Sequence, residues 1–236
     1  MKNKKILWLY LFLFAGILDV LFTANGESEY RIYTKPLILI ALWGYFIFSS
    51  TEIKATILRK SISAALIFSW LGDVLLMFPS LFLYGLGAFL MAHICYIVGF
   101  KIAQTNPFAL GTVNFLKLFF VNLPIYLAAA LVYFLINPGL GAMKIPVVVY
   151  LVVIVLMVTS ARERFGKTNP VSFWQVFIGG AFFMISDGVL AINKFFQPFP
   201  ESGVIVMGTY IIAQFLIVRG ILAHVDNSTF SKAKQI

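Results

Sequence analysis

Apolar runs of about 17–25 residues, the length a helix needs to cross roughly 30 Å of hydrocarbon, recur along the whole 236-residue chain. Hydrocarbon offers no partner to a backbone N–H or C=O, so runs of this kind have to be helices. With 61% hydrophobic and 11% charged residues, no soluble domain of this size could bury the apolar surface it carries. The expected fold is therefore all-α: a polytopic transmembrane helical bundle of about eight helices, forming a single transmembrane domain over 1–236. The spans are expected near 6–23, 33–50, 61–78, 81–103, 115–136, 145–161, 171–192 and 203–224. The lone cysteine, Cys95, excludes an internal disulfide and reads as an inert thiol inside an apolar run.

A net charge of +9 alone would suit nucleic acid, but its distribution points to the membrane instead. With eight spans, the side of the N-terminus collects Lys2, Lys4, Lys5, Lys54, Arg59, Lys60, Lys101, Lys117, Arg162, Arg164, Lys167, Arg219, Lys232 and Lys234. The other side holds Arg31, Lys35, Lys144 and Lys194, beside Glu27, Glu29 and Glu201. Positive residues stay on the cytoplasmic face, so both termini are expected there, in a cell inner or plasma membrane. Anionic lipid headgroups, not nucleic acid, are the partners this charge implies. The first apolar run resembles a signal peptide, but it contains Asp19 and ends in Phe22-Thr-Ala-Asn-Gly26 without a small-x-small cleavage site. It is expected to remain as the first helix.

Against this apolar background two carboxylates stand out. Asp73 lies in Leu71-Gly-Asp-Val-Leu-Leu-Met-Phe78 and Asp187 in Ile185-Ser-Asp-Gly-Val-Leu-Ala-Ile192. A charge at bilayer depth costs about 2.5–3.5 kcal/mol on insertion scales, so it marks a functional interior by default. At about 1.5 Å of rise per residue, both lie in the middle or outer half of the membrane, as does Asp19. Lys35, Tyr150, Asn193 and Lys194 fall towards the outer helix ends, and His93 and Gln214 near mid-depth. A polar cavity open to the non-cytoplasmic side would gather them. Helical phase puts Asp187 and Lys194 on one face, and likewise Ser69 with Asp73, His93 with Tyr96, and Tyr210 with Gln214. The plain alternative is that both aspartates only tie helices together.

The surroundings of the two aspartates echo each other. With Asp73 placed on Asp187, the stretch Gly87–Gly99 lies over Gly208–Gly220, His93 over Gln214 and Phe89 over Tyr210. Lys35-Pro36 and Lys144-Ile-Pro146 open the second and sixth spans, where proline suits a first helical turn. Two parallel four-helix repeats are the organisation this suggests. Soluble-enzyme motifs such as G-x-S-x-G, H-E-x-x-H or a phosphate-binding loop are missing. Only two histidines exist, so a multi-histidine metal site is impossible and no cofactor is implied.

Five blocks together carry a family resemblance: Thr34-Lys-Pro-Leu37, Ser69-Trp-Leu-Gly-Asp-Val-Leu-Leu-Met77, Ala92-His-Ile-Cys-Tyr96, Ser186-Asp-Gly-Val-Leu-Ala-Ile-Asn-Lys194 and Tyr210-Ile-Ile-Ala-Gln-Phe-Leu-Ile217. In order and spacing they resemble the YhhN-like family, which includes the lysoplasmalogenases. The resemblance implies an integral-membrane hydrolase of about eight helices that cleaves the vinyl ether of a lysophospholipid, releasing a fatty aldehyde and a glycerophospho-alcohol. It carries site roles onto Lys35, Asp73, His93, Ser186, Asp187, Asn193, Lys194, Tyr210 and Gln214, with Tyr150 added on depth.

Vinyl ether hydrolysis needs an acid to protonate the β-carbon and a carboxylate to stabilise the cation or activate water. Glycosidases divide that labour between two carboxyl groups. The expectation is Asp73 as the desolvated acid and Asp187, beside Lys194, as the ionised partner, with the reverse left open. Lys35 and Lys194 would hold the phosphate, and the alkenyl chain would lie between apolar helices. A small proton-coupled transporter or lipid-binding membrane protein is the competing reading, since midplane carboxylates suit both. Oligomeric state, headgroup and chain-length preference leave no trace in the sequence.

Overall fold

The computed structural model describes residues 2–27, 29–105 and 115–233; of the charges in the topology reading, the side chains of Lys2, Lys232 and Lys234 lie outside what is described. Eight helices follow one another: α1 (Lys2–Ala24), α2 (Arg31–Ser49), α3 (Ile57–Leu75), α4 (Phe82–Ile102), α5 (Phe115–Ile136), α6 (Lys144–Arg162), α7 (Pro170–Phe195) and α8 (Ser202–Ala233). Among the described residues no strand occurs, and seven of the helices are long and apolar enough to cross a membrane. The exception is α3, whose apolar character Arg59, Lys60 and Asp73 reduce. Large apolar side chains such as Leu7, Phe14, Leu131, Phe134 and Ile145 stand exposed around the bundle, as a lipid-facing surface requires. The chain is a multi-pass integral membrane protein.

Local chemistry sets several helix ends. Asn169 caps α7, its side chain accepting from the Ser172 N–H at 2.8 Å, and Pro170 takes the first helical position, where its missing N–H removes no bond. Thr56 caps α3 through the Arg59 N–H at 3.3 Å. Pro146 falls in the first turn of α6, as its sequence position implied. Pro36 does not, because α2 begins at Arg31, earlier than hydropathy alone indicates. That early start brings Arg31 and Lys35, one turn apart, onto the same face of α2.

Small residues let the central helices approach closely. A Cβ on Gly179 of α7 would lie 2.9 Å from the Ala213 carbonyl oxygen and 3.0 Å from the Ile217 nitrogen, both on α8. On the other face of the same contact, a Cβ on Gly220 would lie 2.9 Å from the Val176 nitrogen. Gly72 and Gly99 do the same between α3 and α4, against Phe89 and Ile62. Van der Waals packing at such small-residue seams is what holds helices together in lipid, where the hydrophobic effect no longer distinguishes neighbour from solvent.

The pairings α3 with α4 and α7 with α8 therefore resemble each other, as do α2 with α3 and α6 with α7. The first helices of the two halves differ: α1 packs closely along α2, whereas α5 rests more lightly on α6 and α7.

At the end of the bundle nearest the N-terminus, a buried arginine locks three helices. Arg164, just past α6, donates to the Ala103 carbonyl at 3.1 Å, the Ser172 carbonyl at 3.3 Å and the Ser172 hydroxyl at 2.7 Å. Burial pulls its guanidinium down to about 10, which leaves it charged at neutral pH. Around it, Arg59 donates to Ser50 and to the Ile47 carbonyl, Arg219 to the Tyr45 hydroxyl, and Lys101 pairs with Glu163.

Two substitutions test this architecture. Gly179→Val overpacks a backbone contact and is expected to cost about 1–3 kcal/mol. Arg164→Ala removes charged hydrogen bonds worth about 1.5–3 kcal/mol each, and Arg164→Lys should recover only part, since one ammonium cannot reproduce the fork. Thermal unfolding in detergent reads both.

Candidate active site

At the end of the bundle away from the N-terminus, the end of α3 and the C-terminal part of α7 meet the first turns of α2, the N-terminal part of α8 and Phe89 of α4. They enclose a polar chamber of about 200 Å³ with Arg31, Lys35, Asp73, Ser186, Asp187, Asn193, Ser202 and Tyr210 in its wall. Asp73 and Asp187, distant in sequence and on different helices, thus face one cavity.

Each carboxylate is held differently. The Tyr210 hydroxyl of α8 donates to Asp73 Oδ2 at 2.7 Å, and Lys35 Nζ of α2 lies 3.7 Å from Asp73 Oδ1. Asp73 is 3% exposed, so this is a desolvated ion pair closed by a phenol. The Tyr150 hydroxyl of α6 donates to Asp187 Oδ2 at 2.5 Å. His93 Nε2 of α4 lies 3.9 Å from the same oxygen, outside hydrogen-bond reach. Asp187 has neither a lysine nor an arginine at salt-bridge distance among the described residues.

His93 is fully buried, and neither ring nitrogen makes a hydrogen bond among the described residues. Its ring meets Tyr150 and Phe183 edge-on, at centroid distances of 5.3 and 4.7 Å. An unsatisfied buried polar group costs about 1–3 kcal/mol, so an orphaned imidazole beside a carboxylate calls for a functional explanation.

The other expected residues divide. Ser186 lines the chamber, its hydroxyl donating to the Val206 carbonyl at 3.0 Å. Asn193 lines it too, while its side-chain oxygen accepts from the Phe199 N–H at 3.1 Å and fixes the turn after α7. Gln214 sits behind the chamber, accepting from the Tyr96 hydroxyl at 2.5 Å. Lys194 is not brought in. It is exposed, with its ammonium 4.2 Å from the centroid of the Phe82 ring. Seven residues beyond Asp187, it rises about 10 Å further along α7, too far for an ion pair despite the shared face.

Sequence reasoning missed Arg31, which it counted as a loop charge, and gave Asp19 no defined partner. Asp19, fully buried on α1, accepts from the Thr34 hydroxyl at 2.9 Å and from Arg31 Nε and a terminal Arg31 nitrogen at 3.5 and 3.4 Å. It thereby holds the guanidinium at the chamber wall. The available signal was the four-residue spacing of Arg31 and Lys35. Among the described residues no three His, Cys, Asp or Glu side chains gather as a metal site.

The YhhN family pattern matches residues 30–221, a stretch that contains every residue named above except Asp19. The chain belongs to the YhhN family. It is 31% identical to human Lysoplasmalogenase TMEM86B over 156 residues, covering 66% of this chain and 61% of the relative. It is also 31% identical over 166 residues to the Lysoplasmalogenase of Mycobacterium bovis, covering 69% and 60% of the two chains. With bovine Lysoplasmalogenase TMEM86A it shares 28% identity over 225 residues, 89% of this chain and 87% of the relative. The chain thus spans about three fifths of the human and mycobacterial relatives. No solved structure matches it.

The two tyrosine hydroxyls are the supports this geometry depends on. Tyr210→Phe should cost about 1.5–3 kcal/mol, the range for a hydrogen bond to a charged group such as the Lys35-paired Asp73, and Tyr150→Phe about 0.5–1.5 kcal/mol, the range for a bond without a charged partner. Thermal unfolding of the purified variants measures this, and unchanged unfolding would exclude the bonds.

Proposed function

We propose that the chain is a lysoplasmalogenase-type hydrolase that cleaves the vinyl ether of a 1-alkenyl-glycerophospholipid. The observation that carries this reading is that Asp73 and Asp187 share one polar chamber whose wall also holds Arg31 and Lys35. Two carboxylates in different settings supply acid and base, and two cations match a phosphodiester. The names of the relatives support the same substrate class.

The contacts favour the reverse of the assignment expected from sequence. Asp73, paired with Lys35, serves as the ionised carboxylate. Asp187, whose neighbours are a phenol and an unbonded imidazole, serves as the acid. Asp187 gives its proton to the β-carbon of the vinyl ether, and the C=C electron pair forms the new C–H bond. The oxocarbenium ion that results lies near the Asp73 carboxylate. Water adds to the cationic carbon as Asp73 takes its proton, giving a hemiacetal. Asp73 then protonates the departing glycerol oxygen while the hemiacetal hydroxyl proton returns to Asp187. The products are a fatty aldehyde and a glycerophospho-alcohol, and both carboxyl groups regain their starting states. His93, 3.9 Å from Asp187, is placed to orient it once the two groups approach by about 0.7 Å or more.

The headgroup phosphate is assigned to Arg31 and Lys35, with Asp19 positioning Arg31. The chamber end faces away from the cytoplasm if the basic end is cytoplasmic. Reporters fused to the termini test that orientation.

Purified protein in detergent should release aldehyde from a lysoplasmalogen and none from the saturated-ether analogue. Asp187→Asn and Asp73→Asn are each expected to lower kcat by about 10²–10⁴-fold, the usual contribution of a positioned acid or base. Arg31→Ala should raise KM with a smaller effect on kcat. Release from the saturated ether, or full activity in Asp187→Asn, would overturn the reading.

A further inference from the structure

Asp187 borders more than the polar chamber. On the other side of α7, an apolar crevice of about 380 Å³ opens between α5 and α7, with Pro124, Ala128, Val132, Phe177, Ala181 and Gly188 in its wall. Its described lining carries no charged side chain. A small cavity of about 40 Å³ lies between it and the site: Val132, Met184 and Gly188 border both, and the small cavity also includes Tyr150 and Asp187. Asp187 is in turn the residue this small cavity shares with the chamber. The order across the protein is therefore chamber, Asp187, neck, crevice.

We infer that the crevice between α5 and α7 is the subsite for the alkenyl chain, entered sideways from the bilayer, with the vinyl ether at Asp187, on the chamber side of the neck. The inference rests on the hydrolase reading and deepens it. A lysophospholipid has one long apolar chain and one charged head, joined at the bond to be cut. The chamber offers cations to the head and the crevice offers hydrocarbon to the chain, and the acid stands at their junction. The lining extends along α7 from Phe177 to Ile192, about 22 Å at 1.5 Å per residue, of which about 16 Å lies between Phe177 and Gly188 at the neck, the order of length of one lipid tail. Ala128, Ala181 and Gly188 keep the gap open, and a Cβ on Gly188 would already touch the Val132 side chain at 3.4 Å.

A second apolar crevice, of about 340 Å³ between α2 and α3, shares no lining residue with the chamber. It provides the control.

The test uses the full chain in detergent and has two readouts. In the first, a saturated-ether lysophospholipid with a diazirine at its chain terminus is photo-crosslinked to the protein, with and without excess unlabelled lysolipid. Competed label is expected on peptides of α5 and α7. Label on the α2–α3 crevice, or label that unlabelled lysolipid does not reduce, overturns the inference. This readout requires no turnover, so competed label at α5 and α7 without any aldehyde release would sink the hydrolase reading and leave the subsite standing. In the second, Ala181→Phe should lower kcat/KM at least tenfold for long-chain lysoplasmalogens and less than threefold for short-chain ones. Ile67→Phe in the control crevice should leave both unchanged. Equal loss at every chain length in a folded Ala181→Phe protein, or a chain-length effect from Ile67→Phe, overturns it.

Discussion

Everything at the functional end of this protein follows from the burial of Asp73 and Asp187 at membrane depth. An isolated carboxylate there costs several kcal/mol, and hydrocarbon supplies no compensation. Each must therefore recruit donors from other helices, and that recruitment fixes how the helices meet. Tyr210 brings α8 to α3, Lys35 brings α2 to α3, and Tyr150 brings α6 to α7. Asp19 adds α1 by holding Arg31. The same contacts that satisfy the charges assemble the chamber.

The opposite end solves the same problem by direct hydrogen bonding. Arg164 is fully buried, yet its guanidinium spends its donors on two carbonyls and a hydroxyl. It ties the end of α4 to the start of α7. A rigid basic end and an open polar end give the bundle its polarity. Polar groups placed on helices instead of loops are held by packing as well as by hydrogen bonds.

Much of this was legible in the sequence, for physical reasons that can be named. Helix number and class follow from hydropathy, because lipid permits few other structures. Asp73 and Asp187 stood out because a charge in an apolar run is costly, and Tyr210 and Ser186 by their place in the family pattern. What failed was what hydropathy does not encode. Lys194 shares a helical phase with Asp187, but phase says nothing of the axial offset that carries it to Phe82. Arg31 was read as a loop charge because apolar windows begin after it, whereas hydrogen bonding begins α2 there. The acid and base roles depend on which cation lies near which carboxylate, a tertiary fact: Lys35 sits by Asp73, and Asp187 has a phenol and an imidazole instead. The α3–α4 and α7–α8 pairings are both close, but the polar contacts of the two stretches aligned in sequence are not equivalent. His93 and Gln214, superposed in sequence, approach Asp187 and Tyr96 respectively.

The central claim is that Asp187 delivers a proton to carbon. The most direct measurement is turnover of a lysoplasmalogen in deuterated water, with mass analysis of the aldehyde trapped as it forms. The account predicts one deuterium on the carbon next to the carbonyl, formed by wild-type protein and lost with Asp187→Asn. Aldehyde without deuterium at that carbon, or labelled aldehyde formed equally fast by the variant, would contradict it.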